Sequence, residues 1–121
     1  MTEEMNLNGK LWIETDGKKL IGPGRVELLE RIRECGSIRQ AALQMSMSYR
    51  QAWQMIEDMN TRLSAPVVIS QRGGKGGGSA VVTEQGDLVI SEFKLFYRKF
   101  QQFLNKNSPS ITLKAGNADK N

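Results

Sequence analysis

The sequence predicts a mainly α-helical fold with a small amount of β structure, and three observations support this prediction. Residues 36–60 contain two short stretches of helical periodicity separated by a serine-rich turn. Two β-rich segments follow and enclose a glycine-rich, basic loop at residues 71–79. A long helical segment then carries all four phenylalanines of the chain. Together these features predict a winged helix-turn-helix with an N-terminal β-hairpin, a β-wing and a long C-terminal dimerisation helix.

The composition fits one domain and excludes several kinds of chemistry. The chain has 121 residues, 39% of them hydrophobic, and its longest apolar runs are too short to span a membrane. The N-terminus has no apolar signal region, so we expect a cytoplasmic protein. With no histidine and one cysteine, the usual zinc sites and His-dependent catalytic triads are excluded. We therefore predict no catalytic residue, no metal and no cofactor.

A small hairpin is expected first, as a brace for the helices. Residues 10–15 alternate apolar and polar side chains, as a half-buried strand does. Asp16-Gly17 is a strong two-residue turn signal, and residues 18–22 can return as the second strand.

Pro23 and Gly24 interrupt the pattern, and the first helix is predicted to follow them and to end at about Cys35, because Gly36 is a good C-terminal stop. We expect Cys35 to be a small core residue rather than a reactive thiol. The apolar positions that share one face of this helix are Val26, Leu29 and Ile32.

The next two helices form the predicted helix-turn-helix. Ser37 is placed to cap the first of them, with Gln40 completing a capping box, and Ser48 is placed to cap the second. The apolar stripes are Ile38, Ala41, Ala42 and Met45 in the first helix, and Ala52, Met55, Ile56 and Met59 in the second.

The open face of the second helix suggests double-stranded DNA as the partner. Arg50 and Gln54 lie opposite the apolar stripe, with Tyr49 and Gln51 beside them in the first turn. Arginine pairs with guanine edges and glutamine with adenine edges, and a helix-turn-helix uses the N-terminal turns of its second helix for this contact. We predict that Arg50 and Gln54 read bases. The alternative is a merely solvated face.

Further DNA contacts are predicted on both sides of this helix. The N-terminus of the preceding helix favours a phosphate. Between residues 37 and 82, five basic residues stand against two acidic ones, which suits a polyanion. Trp53 lies between the buried and open faces, and we expect it to pack against the wing or the final helix. The predicted DNA-binding residues are Ser37, Arg39, Gln40, Ser48, Tyr49, Arg50, Gln51, Gln54, Arg72 and Lys75.

The loop between the two β-rich segments is interpreted as the tip of a wing. Arg72 and Lys75 are expected to reach DNA phosphates or the minor groove. A plain flexible hairpin loop is one alternative. A nucleotide-binding P-loop is disfavoured, because Gly76 follows Lys75 and the loop opens into a strand.

The final helix is predicted from Glu84 to Asn105, capped by Thr83. Its large apolar residues are spaced as two heptads, which favours a homodimer seam over an intramolecular lid. The predicted seam consists of Val89, Phe93, Phe96, Phe100 and Phe103. Residues 1–105 therefore form the predicted domain, and the polar residues 106–121 are expected to be a disordered tail.

Several of these motifs together resemble the N-terminal DNA-binding domain of ModE-type molybdate-responsive transcriptional regulators, which has a LysR-like winged helix-turn-helix. The motifs are S-Y-R-x-A-W from Ser48, M-N from Met59 and G-G-K-G-G-G from Gly73, and the resemblance covers residues 20–105. It implies a bacterial, dimeric regulator of a palindromic operator, with residues 48–60 in the major groove and residues 72–79 as the wing.

Full-length members of that family continue into molybdate-binding domains, and nothing in this sequence matches them. No molybdate site is therefore assigned, and we expect either a single-domain relative or a fragment of a longer regulator. The predicted function is a sequence-specific DNA-binding transcriptional regulator. The alternative is a winged-helix protein–protein adaptor that does not bind DNA specifically.

Overall fold

The computed structural model describes residues 4–71 and 79–116, and it confirms the predicted fold class. Two strands, β1 (Ile13–Thr15) and β2 (Lys18–Ile21), precede three helices, α1 (Pro23–Cys35), α2 (Ile38–Gln44) and α3 (Tyr49–Arg62). Strands β3 (Val68–Gln71) and β4 (Ser79–Val82) lead into α4 (Glu84–Asn107) and a 3₁₀ turn (Ser108–Ser110). The chain divides into two compact units, Trp12–Lys94 on one side and Met1–Leu11 with Leu95–Asn121 on the other.

The N-terminal hairpin turns at the predicted position. Asp16 and Gly17 both have positive φ angles, 53° and 72°, as a two-residue turn between antiparallel strands requires. The first strand begins at Ile13, whereas the prediction placed its start at residue 10. The reason is that β2 ends at Ile21, just before the first helix, so the residues before Ile13 have no strand to pair with.

Helix α1 ends at the predicted residue, Cys35, but begins earlier than predicted, at Pro23, because proline is well suited to the first helical turn. Gly36 follows it in the left-handed conformation, with φ of 71°, and donates its N–H to Ile32 O at 2.7 Å. The prediction that Cys35 belongs to the core is wrong, because this residue is exposed. The chain turns away at Gly36, so no further element covers the last residue of the helix. The buried residues of α1 are Val26, Leu28, Leu29 and Ile32.

The helix-turn-helix is closely packed through small side chains. Ala41, Ala42 and Ala52 are fully buried, which allows α2 and α3 to approach each other closely. Met59 is the last buried residue of the apolar stripe of α3. Two residues of the predicted stripes, Met45 and Met55, are only half-buried. Met45 follows the end of α2 and is only half-buried, since the chain leaves the helix there.

The base of the wing is attached to the helices by hydrogen bonds made by the Asn60 side chain and by the backbone. Asn60 of α3 accepts from Val67 N at 2.7 Å through Oδ1 and donates to Val68 O at 3.1 Å through Nδ2. Ala80 of β4 donates its N–H to Gly36 O at 2.9 Å. The antiparallel pairing of β3 with β4 therefore starts from a fixed position relative to α3.

In the second unit, ordered structure extends past the predicted start of the tail. Helix α4 continues to Asn107, and Ser108 begins a 3₁₀ turn. Ser108 Oγ accepts from Leu7 N at 2.9 Å and donates to Leu104 O at 2.8 Å, and Leu104 is buried. Residues 106–110 thus belong to the folded part of the chain, because these hydrogen bonds hold their backbone.

A network centred on Asp58 joins α1, α3 and the N-terminal hairpin. Asp58 Oδ2 accepts from Arg25 at 2.6 Å and from Arg62 at 2.9 Å. Arg62 also donates to the carbonyl oxygens of Thr15, Lys18 and Lys19. The hydrogen bond from Arg25 lowers the pKa of Asp58 below its ordinary value of 3.8; partial desolvation opposes this, and Arg62 adds to the lowering.

Replacing Asp58 with asparagine is expected to lower the free energy of unfolding by about 1 kcal/mol at pH 7, because the network is partly exposed and solvent screens it. The depressed pKa implies that the contribution is present above pH 3.8 and is lost as pH falls through the folded-state pKa. Urea denaturation between pH 2.5 and 7 measures this. The difference between the two proteins should shrink below pH 3.8, and a constant difference would contradict the electrostatic account.

Candidate nucleic-acid interface

The predicted DNA-reading residues lie on the exposed face of α3. Arg50, Gln51 and Gln54 are exposed, whereas Ala52 and Ile56 of the same helix are buried against the core. Ser48 caps the helix, so its first turn is the end that presents these side chains. The arrangement offers one cation and two amides over about one and a half turns of a helix, which is the chemistry that reads base edges in a major groove.

Arg50 differs from the other arginines of its unit. Among the described arginines of Trp12–Lys94, it alone makes no hydrogen bond, ion pair or ring contact. The others, all engaged in such contacts within the chain, are Arg25, Arg31, Arg33, Arg39 and Arg62. The guanidinium of Arg50 is therefore available to an external ligand.

The N-terminal ends of α2 and α3 are fixed by their capping serines. Ser37 Oγ accepts from Gln40 N at 3.1 Å, and Ser48 Oγ accepts from Gln51 N at 3.0 Å. These contacts confirm the two predicted caps, but the Gln40 side chain does not accept from Ser37 N–H, so the predicted capping box is only half formed. Each hydroxyl proton is free to be donated elsewhere. The two serines thus set the positions of the first turns from which the neighbouring polar side chains project.

Arg39 and Tyr49 form a contact between the two helices. The Arg39 guanidinium lies over the Tyr49 ring, 4.7 Å from its centroid. This stacking places the positive charge of α2 next to the first turn of α3. Two residues predicted separately for the interface are therefore neighbours in the structure.

Trp53 is not the packing anchor that the sequence analysis predicts. Its side chain is 45% exposed, and its indole N–H has no hydrogen-bond acceptor among the described residues. The prediction was based on residue type, because large aromatic side chains are usually buried. Helical spacing is the better signal, since Trp53 is four residues from the exposed Tyr49 and lies on the same side of α3.

The predicted wing is described at its base, where β3 and β4 pair. Arg72 and Lys75 lie outside the described residues and stay predictions. The strands on either side are paired up to Gln71 and Ser79, and the second segment is a strand, as the wing interpretation requires. Arg62 is paired with Asp58, so the excess of positive charge between residues 37 and 82 comes from the other four basic residues against Glu57.

The residues of the predicted seam in α4 differ in how far they are buried. Phe93 is buried and Val89 is half-buried, whereas Phe96 is 44% and Phe103 is 56% exposed. Phe100 lies against Gly9, close enough that an added methyl group there would contact the ring. Two further apolar residues of α4, Leu88 and Leu95, are exposed and do not belong to the predicted seam. Their spacing of seven residues is the signal that could have identified them.

Two other kinds of site are absent from residues 4–71 and 79–116. No three acidic, histidine or cysteine side chains in this part are grouped as metal ligands would be. None of its helices has both the length and the hydropathy needed to cross a membrane.

Comparison with known proteins finds similarity in the region that contains the candidate interface. The pattern of bacterial regulatory helix-turn-helix proteins of the lysR family matches residues 24–87. The molybdenum-pterin-binding protein MopB of Rhodobacter capsulatus is 37% identical over 101 residues, which cover 84% of this chain and 37% of that protein. The dual regulator ModE of Escherichia coli K12 is 38% identical over 86 residues, 70% of this chain and 32% of its own. The chain thus spans about a third of the length of these relatives.

Solved structures show the same fold. LysG from Corynebacterium glutamicum has a TM-score of 0.53 at 20% identity, covering 77% of this chain and 31% of that one. ZitR from Lactococcus lactis has a TM-score of 0.52 at 16% identity, covering 88% of this chain and 70% of that one. At these identities the similarity is one of fold.

Proposed function

Because the chain belongs to the lysR family of bacterial regulatory helix-turn-helix proteins, we propose that it is a sequence-specific, DNA-binding transcriptional regulator that acts as a dimer on a palindromic operator. The observation that carries this proposal is the exposed face of α3, where Arg50 has no partner among the described residues of the chain. The family and the ModE relatives are regulators rather than enzymes, in agreement with the predicted absence of catalysis. The proposal includes no molybdate binding.

The proposed DNA contacts are of two kinds, those that read base edges and those that hold the protein on the phosphate backbone. Arg50 and Gln54 contact base edges from the centre of the exposed face, where both side chains project away from the core. Tyr49 and Gln51 flank them in the first turn. The residues assigned to phosphate are Ser37, Arg39, Gln40 and Ser48 near the helix ends, with Arg72 and Lys75 on the wing.

The test is selection from a pool of random duplexes at moderate salt, followed by sequencing of the retained DNA. We expect a palindromic motif with half-sites about one helical turn apart, as a two-fold dimer of helix-turn-helix domains requires. Retention without an enriched motif, lost as salt rises, would overturn sequence-specific binding and favour the adaptor alternative. The most enriched sequence, called the selected duplex below, serves the later experiments.

The dimer is supported by the order of exposed residues in α4. A two-fold axis that passes between Leu95 and Phe96, perpendicular to an antiparallel helix pair, places each of these residues opposite the other on the second copy. The same axis places Leu88 opposite Phe103, and Glu92 opposite Lys99. At 100° per residue these six positions share one face, and the four apolar ones are exposed. The stripe is therefore complementary to itself in both hydropathy and charge, as an isologous interface must be.

This register predicts the effect of charge reversal. Glu92→Lys and Lys99→Glu should each weaken self-association by about 5- to 30-fold, because each replaces two symmetry-related attractions, worth up to about 1 kcal/mol apiece, by repulsions. Mixing the two variants should restore association as a heterodimer, since both pairs then have opposite charges. Sedimentation velocity measures these states, with Arg98→Glu on the other side of α4 as control. Variants that each dimerise normally would contradict the register.

A further inference from the structure

We propose that Trp53 is a specificity-determining residue of the DNA interface, and that it contacts the C5-methyl group of a thymine in each half-site. This inference rests on the proposed DNA-binding function and assigns the base that one more side chain reads. Trp53 is 45% exposed and its indole N–H has no hydrogen-bond acceptor among the described residues, so the exposed part of the ring and its N–H are available to a ligand. An exposed indole is a large apolar surface whose burial on DNA is favourable.

The position of Trp53 in α3 directs it towards the same DNA as Arg50. It is the fifth residue of the helix, about 6 Å along the axis from Tyr49. Side chains on a helix lean towards its N-terminus, so the indole covers the turn that contains Tyr49 and Arg50. Any groove deep enough to admit Arg50 and Gln54 therefore brings base edges to the indole as well.

Charge favours a thymine methyl group over a phosphate as the ligand. Glu57 is exposed one turn after Trp53, where residues four apart are neighbours, and it has no ion pair with a described residue. A phosphate held by the indole N–H would therefore lie near a carboxylate, which is unfavourable. A methyl group carries no charge, and apolar contact with the thymine methyl is an established mode of major-groove recognition.

The first experiment compares selection from the random pool by the wild-type protein, Trp53→Ala and Trp53→Phe. We expect wild type and Trp53→Phe to enrich the same motif, including a thymine at one position per half-site. Trp53→Ala should lose the preference at that position and keep the others. Trp12→Ala is the matched control, because Trp12 is also exposed, at 38%, but lies before the N-terminal hairpin and outside α3. It should leave the motif unchanged.

The second experiment removes only the methyl group, by replacing each thymine of the selected duplex in turn with deoxyuridine. In each half-site, one of these single replacements should weaken wild-type binding about fourfold, the effect of losing one buried carbon. The same replacement should not change the binding of the Trp53→Ala variant. Trp53→Phe should keep the sensitivity, since its ring still packs on the methyl group. Thermal denaturation of each variant checks that the fold is intact.

The outcomes separate this inference from the proposed function. A wild-type motif in which no deoxyuridine weakens binding, or in which Trp53→Ala shows the same sensitivity as wild type, would overturn the thymine contact alone. A thymine preference that Trp53→Phe loses, although no deoxyuridine replacement weakens wild-type binding, would overturn it in favour of a hydrogen bond from the indole N–H to thymine O4, which deoxyuridine retains. A wild-type pool without any motif would overturn the proposed function and this inference together.

Discussion

Arg50→Ala is expected to weaken binding to the selected duplex by about 1–3 kcal/mol and to relax selection at one base pair per half-site. The reason is that Arg50 has no partner among the described residues of its own chain, so its guanidinium can form the bidentate contact that arginine makes with guanine. Alanine retains the helix and removes both donors. Because each 1.4 kcal/mol is a factor of ten in affinity, the loss is measurable by fluorescence anisotropy.

Two control variants test the assigned role of Arg50. Arg33→Ala also removes an exposed cation, but one that pairs with Asp87 outside α3, and it should leave the base preference unchanged. Lys75→Ala on the predicted wing should weaken binding to all sequences alike and lower the salt dependence by about one counterion. If Arg50→Ala affects selected and random duplexes equally, the assignment of base reading to this residue is wrong.

Gly86→Ala is expected to destabilise the folded chain by about 1–3 kcal/mol, despite the better helix propensity of alanine. Gly86 lies in the first turn of α4, and an added Cβ would come within 3.0 Å of Val67 O and of a methyl group of Val82. Val67 cannot move aside easily, since its N–H is bound to Asn60 and its carbonyl oxygen accepts from Thr83 N at 3.0 Å.

Thermal denaturation should show the Gly86→Ala midpoint about 5–15 °C below that of the wild-type protein. Gly24→Ala is the matched control, because Gly24 is also in the first turn of a helix but has open space around it. That variant should be neutral or stabilising by up to about 1 kcal/mol. Equal effects of the two substitutions would contradict a steric role for Gly86.

Elements set by local signals were predictable from the sequence. Helix α1 ends where expected because Gly36 adopts a left-handed conformation that is available to few other residues. The serine caps and the Asp16-Gly17 turn are confirmed for the same reason. Each depends on hydrogen bonds and backbone angles within a few residues, so the information lies in short stretches of sequence.

Features that depend on distant residues were not predictable in this way. Periodicity places Phe93 and Phe96 on one stripe of α4, yet only Phe93 is covered by the chain. The charge count gives Arg50 and Arg62 equal weight, although Arg62 is bound to Asp58 and to the N-terminal hairpin. Trp53 was assigned from the average behaviour of its residue type. In each case the deciding contact, or its absence, is a property of the tertiary structure.

The side-chain amide of Asn60 determines how the protein can adapt to a duplex. Its two hydrogen bonds hold the start of β3 against the C-terminal half of α3, so a hinge between recognition helix and wing base would have to break both. The distance between the recognition helix and the wing base is therefore fixed. Adjustment falls on the DNA, whose resistance to bending and groove narrowing varies with sequence. Base pairs that no side chain touches are therefore expected to contribute to operator choice through their stiffness.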